Sequence, residues 1–105
     1  MEFKDIAKKI ILLYARYVVK EGYEFDNYND YRVVFYWIIS SILDIPYIVD
    51  MLLCSKYNNL RIGFRKELKK SGLLRKIRYK GSKEVLFNVI KVMFDLFYKE
   101  IKSQI

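Results

Sequence analysis

The stretch from Asn59 to Val89, NLRIGFRKELKKSGLLRKIRYKGSKEVLFNV, limits the possible folds more than any other part of the chain. Leu60, Phe64 and Leu68 recur at helical spacing. At about 100° per residue the opposite side carries Ile62, Arg65, Lys66 and Lys69, with Arg61 and Lys70 flanking. Ser71-Gly72 then stops the helix, because glycine tolerates the left-handed conformation of a C-cap. Beyond Leu73 and Leu74 the pattern changes. Arg75 to Tyr79 alternates basic and apolar, Lys80-Gly81-Ser82 has the composition of a turn, and Lys83 to Val89 is rich in β-branched and aromatic residues. Val85, Phe87 and Val89 share one strand face. The expectation is a basic amphipathic helix followed by a short β-hairpin with a cationic tip. Between Lys56 and Lys83 stand eleven Lys/Arg against one acid, Glu67, a net of +10; the whole chain is +8, so the remainder is close to neutral.

At 105 residues the chain has the size of one domain, with a modest core and no room for a large active-site cavity. A hydrophobic content of 53% and an aromatic content of 17% exclude a disordered chain. There is no histidine, which removes the commonest general base and the commonest transition-metal ligand together. One cysteine and no histidine leave no zinc site in a single chain. Cys54 stands in the apolar run MLLC, where a small buried hydrophobe is the ordinary reading, and a lone thiol suits a reducing cytoplasm. The most membrane-like stretch, Val33 to Leu43, has eleven uncharged residues, short of the ~20 that a spanning helix requires. It is expected to be a buried core helix in a cytoplasmic protein, and no secretory signal is visible.

Phe3 to Glu21 has helical periodicity, with Ile6, Ile10, Leu13 and Tyr17 on one stripe and Ala7, Ile11, Tyr14 and Val18 beside it, ended by Gly22. Its apolar arc is wide. Tyr23 to Asn29 is a polar-aromatic loop, and Asn29 or Asp30 is the expected N-cap of a second helix, Tyr31 to Leu43. Asp44-Ile45-Pro46 reads as the start of a third helix, Asp as cap and Pro in the first turn, with Ile45, Ile48, Val49, Leu52 and Leu53 on one buried face. It stops near Cys54. Ser55 to Asn58 is a turn, and Asn59 caps the basic fourth helix. From about Ile90 to Ser103 the helical period returns, with Phe94, Phe97, Tyr98 and Ile101 on one side and Val92, Met93 and Leu96 on the other.

A short helix, a tight turn and a helix with a cationic outer face is the order of a helix-turn-helix, whose second helix enters the major groove. Phosphate neutralisation would supply most of the affinity. In that reading Arg65, Lys66 and Lys69 sit in the groove, Arg65 within reach of guanine and Ile62 against a thymine methyl. Lys56, Arg61, Lys70, Arg78, Lys80 and Lys83 contact phosphate. The ten tyrosines and Trp37 are assigned to core and interface packing.

The segment ELKKSGLLRKIRYKGSKEVLFNV resembles the recognition-helix-to-wing region of winged-helix transcriptional regulators, the MarR-like and ArsR-like repressors and small archaeal and viral winged-helix proteins among them. Leu68, Gly72 and Leu73 match the helix end, Arg75 to Tyr79 the first wing strand and Val85 to Val89 the second; the likeness covers roughly Asp44 to Val89. The resemblance implies a homodimer joined through the first and last helices, which their broad apolar arcs also suggest. The Asp-x-Arg wing motif of MarR-like proteins is absent, as are the cysteine and histidine ligands of the metal-sensing ArsR-like proteins. Gly63 stands inside the presumed recognition helix, at a cost of about 1 kcal/mol relative to Ala unless it permits a close approach.

The sequence therefore leads to a mainly α protein with a small β-hairpin, a winged helix-turn-helix with flanking N- and C-terminal helices. The divisions are 1–22 for the first helix, 30–89 for helix-turn-helix and wing, and 90–105 for the last helix. The expected function is dimeric binding of double-stranded DNA in transcriptional regulation, without catalysis, metal, cofactor or membrane contact. Two alternatives stand beside it. One is an all-helical subunit of a nucleoprotein assembly that tracks RNA or single-stranded DNA, in which residues 75–89 would be helical or irregular. The other is an interaction module or inhibitor that sets its basic face on an acidic protein.

Overall fold

Tyr14 has no solvent exposure, and the helices are arranged around it. The computed structural model describes residues 3–79 and 82–104. Among them are six helices, α1 (Phe3–Lys20), α2 (Tyr28–Leu43), α3 (Met51–Lys56), α4 (Asn58–Lys70), α5 (Leu73–Tyr79) and α6 (Lys83–Gln104), and no strand. The Tyr14 ring of α1 lies against Tyr31 and Phe35 of α2, Phe64 of α4 and Phe94 of α6, at centroid separations of 5.0, 4.8, 5.5 and 6.4 Å. Its hydroxyl donates to the Tyr31 carbonyl at 2.9 Å, which satisfies the polar atom that this ring brings into the core. The stripe Ile6, Ala7, Ile10, Ile11, Tyr14 and Val18 is buried as its spacing requires.

Among the described residues of 75–89 there is no β-hairpin, and the winged helix falls with it; Lys80 and Gly81 of the expected turn lie outside the described residues. The residues that decide the matter follow the helical period. Leu73, Leu74 and Ile77 are buried at i, i+1 and i+4, and Leu86, Phe87, Ile90, Met93 and Phe94 at i, i+1, i+4, i+7 and i+8. Val85, counted toward a strand face, is an exposed residue of the first turn of α6. Ser82 caps that turn, its hydroxyl oxygen accepting from the Val85 N–H at 3.3 Å. The last helix thus begins at Lys83 and not near Ile90.

α1 packs most extensively on α6. The buried sides of the two helices meet each other inside one chain, while Val92 and Leu96, counted in the apolar arc of the last helix, stay 62% and 69% exposed. A polar cluster ties α2 to the same helix: Tyr28 donates to Asp95 at 2.7 Å, and Arg32 reaches Asp95 at 3.4 Å and Asn29 at 2.8 Å.

Two caps differ from expectation. α2 begins after Asn27, whose side chain accepts from the Asp30 N–H at 2.8 Å, so the cap is neither Asn29 nor Asp30. Asp44 does not open a third helix; it closes α2 in the left-handed conformation at φ 56°. Residues 45–50 run on without helix, Ile45, Tyr47 and Val49 facing inward in alternation with exposed Pro46, Ile48 and Asp50. Tyr47 sets its edge against Tyr36 and Phe87. Helix resumes only where Asp50 accepts from the Leu52 and Leu53 N–H groups. The apolar face expected there is not buried: Ile48 is 100% exposed and Leu52 80%. A single residue, Tyr57, separates α3 from α4, which is shorter than the three- to four-residue turn of a helix-turn-helix.

Burial raises the phenols of Tyr14, Tyr28, Tyr31 and Tyr36 above the ordinary value of 10.0, Tyr36 to about 12, and the bond to Asp95 adds to the effect at Tyr28. The folded chain thus keeps protons that the unfolded chain loses near pH 10, so stability is complete below that pH and declines as pH climbs toward the folded values. The urea midpoint should stay level between about pH 7 and 9 and fall beyond about pH 10. A level midpoint up to about pH 11 would contradict burial of these phenols.

Candidate nucleic-acid interface

α4 touches the rest of the molecule through a narrow stripe. Leu60, Phe64 and Leu68 are its buried residues, as the spacing indicates, Asn58, Arg61, Gly63 and Glu67 flank them half-buried, and the opposite side is open. Ile62, Arg65, Lys66 and Lys69 fall within one sector of about 100° on the outer side, a crest about 10 Å long. Arg65, Lys66, Lys69 and Lys70 are exposed, and Ile62 is 41% exposed. The Ile62 side chain therefore stands among cations and outside the core. Lys69 and Lys70 lie in the last turn, where their charge also complements the helix dipole.

The other expected contacts divide. Lys56, at the end of α3, is 4.0 Å from Asp26 and lies over the Tyr57 ring, so its charge is already partly balanced. Arg61 is half-buried, held by Asn58 at 2.9 and 3.2 Å and laid over Trp37 at 5.6 Å. These two brace α4 against its neighbours and do not belong to its crest. Lys83 is exposed on the first turn of α6. Lys80 and the side chain of Arg78 lie outside the described residues. Arg75 and Lys76 went unrecognised in the sequence because they were assigned to a strand. On α5 the inward set Leu73, Leu74 and Ile77 turns both outward, and both are exposed. Among the described residues, none of Arg65, Lys66, Lys69, Lys70, Arg75 and Lys76 is paired with a carboxylate.

Gly63 is explained by packing. A Cβ there would overlap the Tyr17 hydroxyl and lie 3.1 Å from Cζ of the same ring, so glycine is what lets α1 approach α4. Tyr17 in turn packs on Phe64 at 6.0 Å.

No described aromatic side chain is exposed. Phe25 stacks on Tyr57 at 4.4 Å and an interplanar angle of 12°, and Phe35 on Phe94 at 4.8 Å, all on the inner side. Among the described residues there is no group of histidine, cysteine or acidic side chains able to hold a metal ion, and no helix long and apolar enough to cross a membrane. No known protein family, no characterised protein and no solved structure matches the chain. Arg75 to Tyr79 and Val85 to Val89, which carried the resemblance to the two wing strands, are helical here.

Gly63→Ala should destabilise the protein by about 1 kcal/mol, because displacing the Tyr17 ring outweighs the helix propensity gained. In a Tyr17→Ala background the same change should become stabilising by about 1 kcal/mol. A double-mutant cycle by urea denaturation measures both; equal effects in the two backgrounds would dissociate Gly63 from Tyr17.

Proposed function

We propose that the chain binds double-stranded DNA, presenting the outer face of α4 to the major groove and the neighbouring cations of α5 to the phosphates. One observation carries this reading: exposed cations without acidic partners are collected on the crest of one surface helix and the adjoining α5, in a protein otherwise near neutrality. Solubility needs a mixture of signs, not a face of one sign. Each backbone phosphate that such a face neutralises releases counterions, which is where the affinity arises.

Helix at 75–79 and 83–89 is what the alternative of a subunit tracking RNA or a single strand expects of that segment, so the preference for a duplex over a single strand rests on the aromatic residues. Sequence-blind binding of single strands relies on exposed aromatic platforms for the bases, and the described rings of this protein are buried or partly buried against the core. B-form DNA is favoured over duplex RNA by the groove, since a helix of α4's size enters a major groove about 12 Å wide and not the deep, narrow groove of A-form RNA. Arg65 and Ile62 lie on the crest at positions suited to guanine and to a thymine methyl, so a modest sequence preference is expected from them. A protein that occupies the groove and does not alter the DNA acts by obstruction or recruitment, and control of transcription is the use we infer, in the cytoplasm.

The joint substitution Arg65→Ala, Lys66→Ala, Lys69→Ala should weaken duplex binding by about tenfold or more. It should also lower the slope of log affinity against log salt by roughly 2 to 3 units. Fluorescence anisotropy over a salt series reads both. An unchanged slope would remove α4 from the interface. Equal affinity of the unaltered protein for duplex and single strand would overturn the duplex assignment.

A further inference from the structure

Where α4 ends, the chain turns at Ser71-Gly72 and α5 sets out along α1. Between them lies an open groove of about 250 Å3, lined by Lys9, Leu12, Leu13 and Arg16 of α1 together with Ser71, Leu73 and Lys76. The α1 residues stand at i, i+3, i+4 and i+7, one stripe of the helix, and cations occupy both its ends. Lys76 adds a third from α5. All three are exposed, and none is paired with a carboxylate among the described residues. Nor is any carboxylate among the lining residues. Along the chain, the described acids nearest to these residues are Asp5, four positions before Lys9, and Glu67, four positions before Ser71. The Ser71 hydroxyl is committed to the turn, donating to the Leu68 carbonyl at 2.9 Å and accepting from the Leu73 N–H at 3.4 Å.

Lys9 and Arg16 stand about 10 Å apart along α1, with Lys76 entering from α5, so the groove carries three cations and its field favours an anion. The leucines beneath exclude water on one side, which strengthens the attraction an anion would feel. Lys9 and Arg16 belong to the part of the sequence that is close to neutral overall, so total charge does not account for their position.

We propose that this α1–α5 groove is a phosphate-binding site, and that the phosphate it takes is a backbone phosphodiester of the duplex held by α4. The assignment rests on the duplex-binding reading. Ser71 of the groove follows directly on Lys69 and Lys70, so a strand leaving the α4 crest finds its next anchor here. The bound backbone thus passes from α4 over the turn to α1. The chemistry recognised is a phosphate group, and a free phosphate compound would satisfy the same three cations.

The test compares the unaltered protein with the joint variant Lys9→Gln, Arg16→Gln, Lys76→Gln. All three changes are at exposed positions, and an unchanged melting temperature verifies the fold. Each protein is titrated with a short DNA duplex over a salt series and with inorganic pyrophosphate, the latter followed by amide chemical shifts. The groove variant should bind duplex at least about tenfold more weakly, with a salt slope lower by roughly 2 to 3 units. Pyrophosphate should shift the amides of Arg16, Ser71, Leu73 and Lys76 in the unaltered protein and not in the variant. Duplex binding with unchanged affinity and slope in the groove variant overturns the inference; if the α4 variant loses binding at the same time, the duplex reading stands without the groove. Pyrophosphate shifts in a protein that ignores duplex would reverse that outcome, keeping the phosphate site and refuting the duplex. Silence in both titrations overturns both.

Discussion

The phenol of Tyr14 lies where α1, α2, α4 and α6 meet, and its burial governs how the rest of the chain is arranged. A ring of that size at zero exposure needs apolar partners on every side and an acceptor for its hydroxyl. Phe35, Phe64, Phe94 and Tyr31 supply the first, and the Tyr31 carbonyl the second. Phe64 in turn fixes which side of α4 faces inward, so Arg65, Lys66 and Lys69, one, two and five positions further on, face out. The interface we propose is in this sense a consequence of the core. Gly63 refines the same arrangement, since α4 sits as close to α1 as the Tyr17 ring allows.

The aromatic richness of the chain bears on function through the same packing. An aromatic content of 17% would suit a protein that stacks on bases, if the rings were displayed. Here the described rings are packed in joining helices, and the outer surface is left to charged and polar side chains of both signs, with the cations of α4 and α5 grouped together. What remains outside is suited to phosphate and to the floor of a wide groove. It is also salt-dependent by nature, because exposed charges act over only about 8 Å at physiological ionic strength.

Much of the fold was legible in the sequence. The stripes of α1 and α4, the burial of the second helix, the stop at Gly22 and the possible close approach at Gly63 all follow from spacing and from the chemistry of glycine. The failure at 75–89 has a physical reason. In LLRKIRY the alternation rests on a single apolar residue, Ile77, and the more informative pair Leu73-Leu74 was counted with the preceding turn. In Lys83 to Val89 the β-branched residues drew attention, yet Leu86, Phe87 and Ile90 carry the burial and share a helical face. Tertiary packing overrode β propensity there. Asp44 was misread for a related reason: an aspartate before proline has the composition of an N-cap, but the end of α2 needed a residue in the left-handed conformation. Of the site, the α4 crest was visible and the contributions of α1 and α5 were not, because joining them requires knowing that the two helices lie side by side.

The claim that unites fold and function is that one face, running from α4 across the turn to α1, meets the DNA. Lysine acetylation followed by mass spectrometry, with and without a saturating DNA duplex, reads that face directly. The account predicts protection of Lys66, Lys69, Lys70, Lys76 and Lys9, with Lys4, which lies beside Val89 and Val92 of α6, and Lys91, which covers the Phe87 ring, reacting as they do in the free protein. Uniform reactivity in the presence of duplex, or protection centred on Lys4 and Lys91, would contradict it.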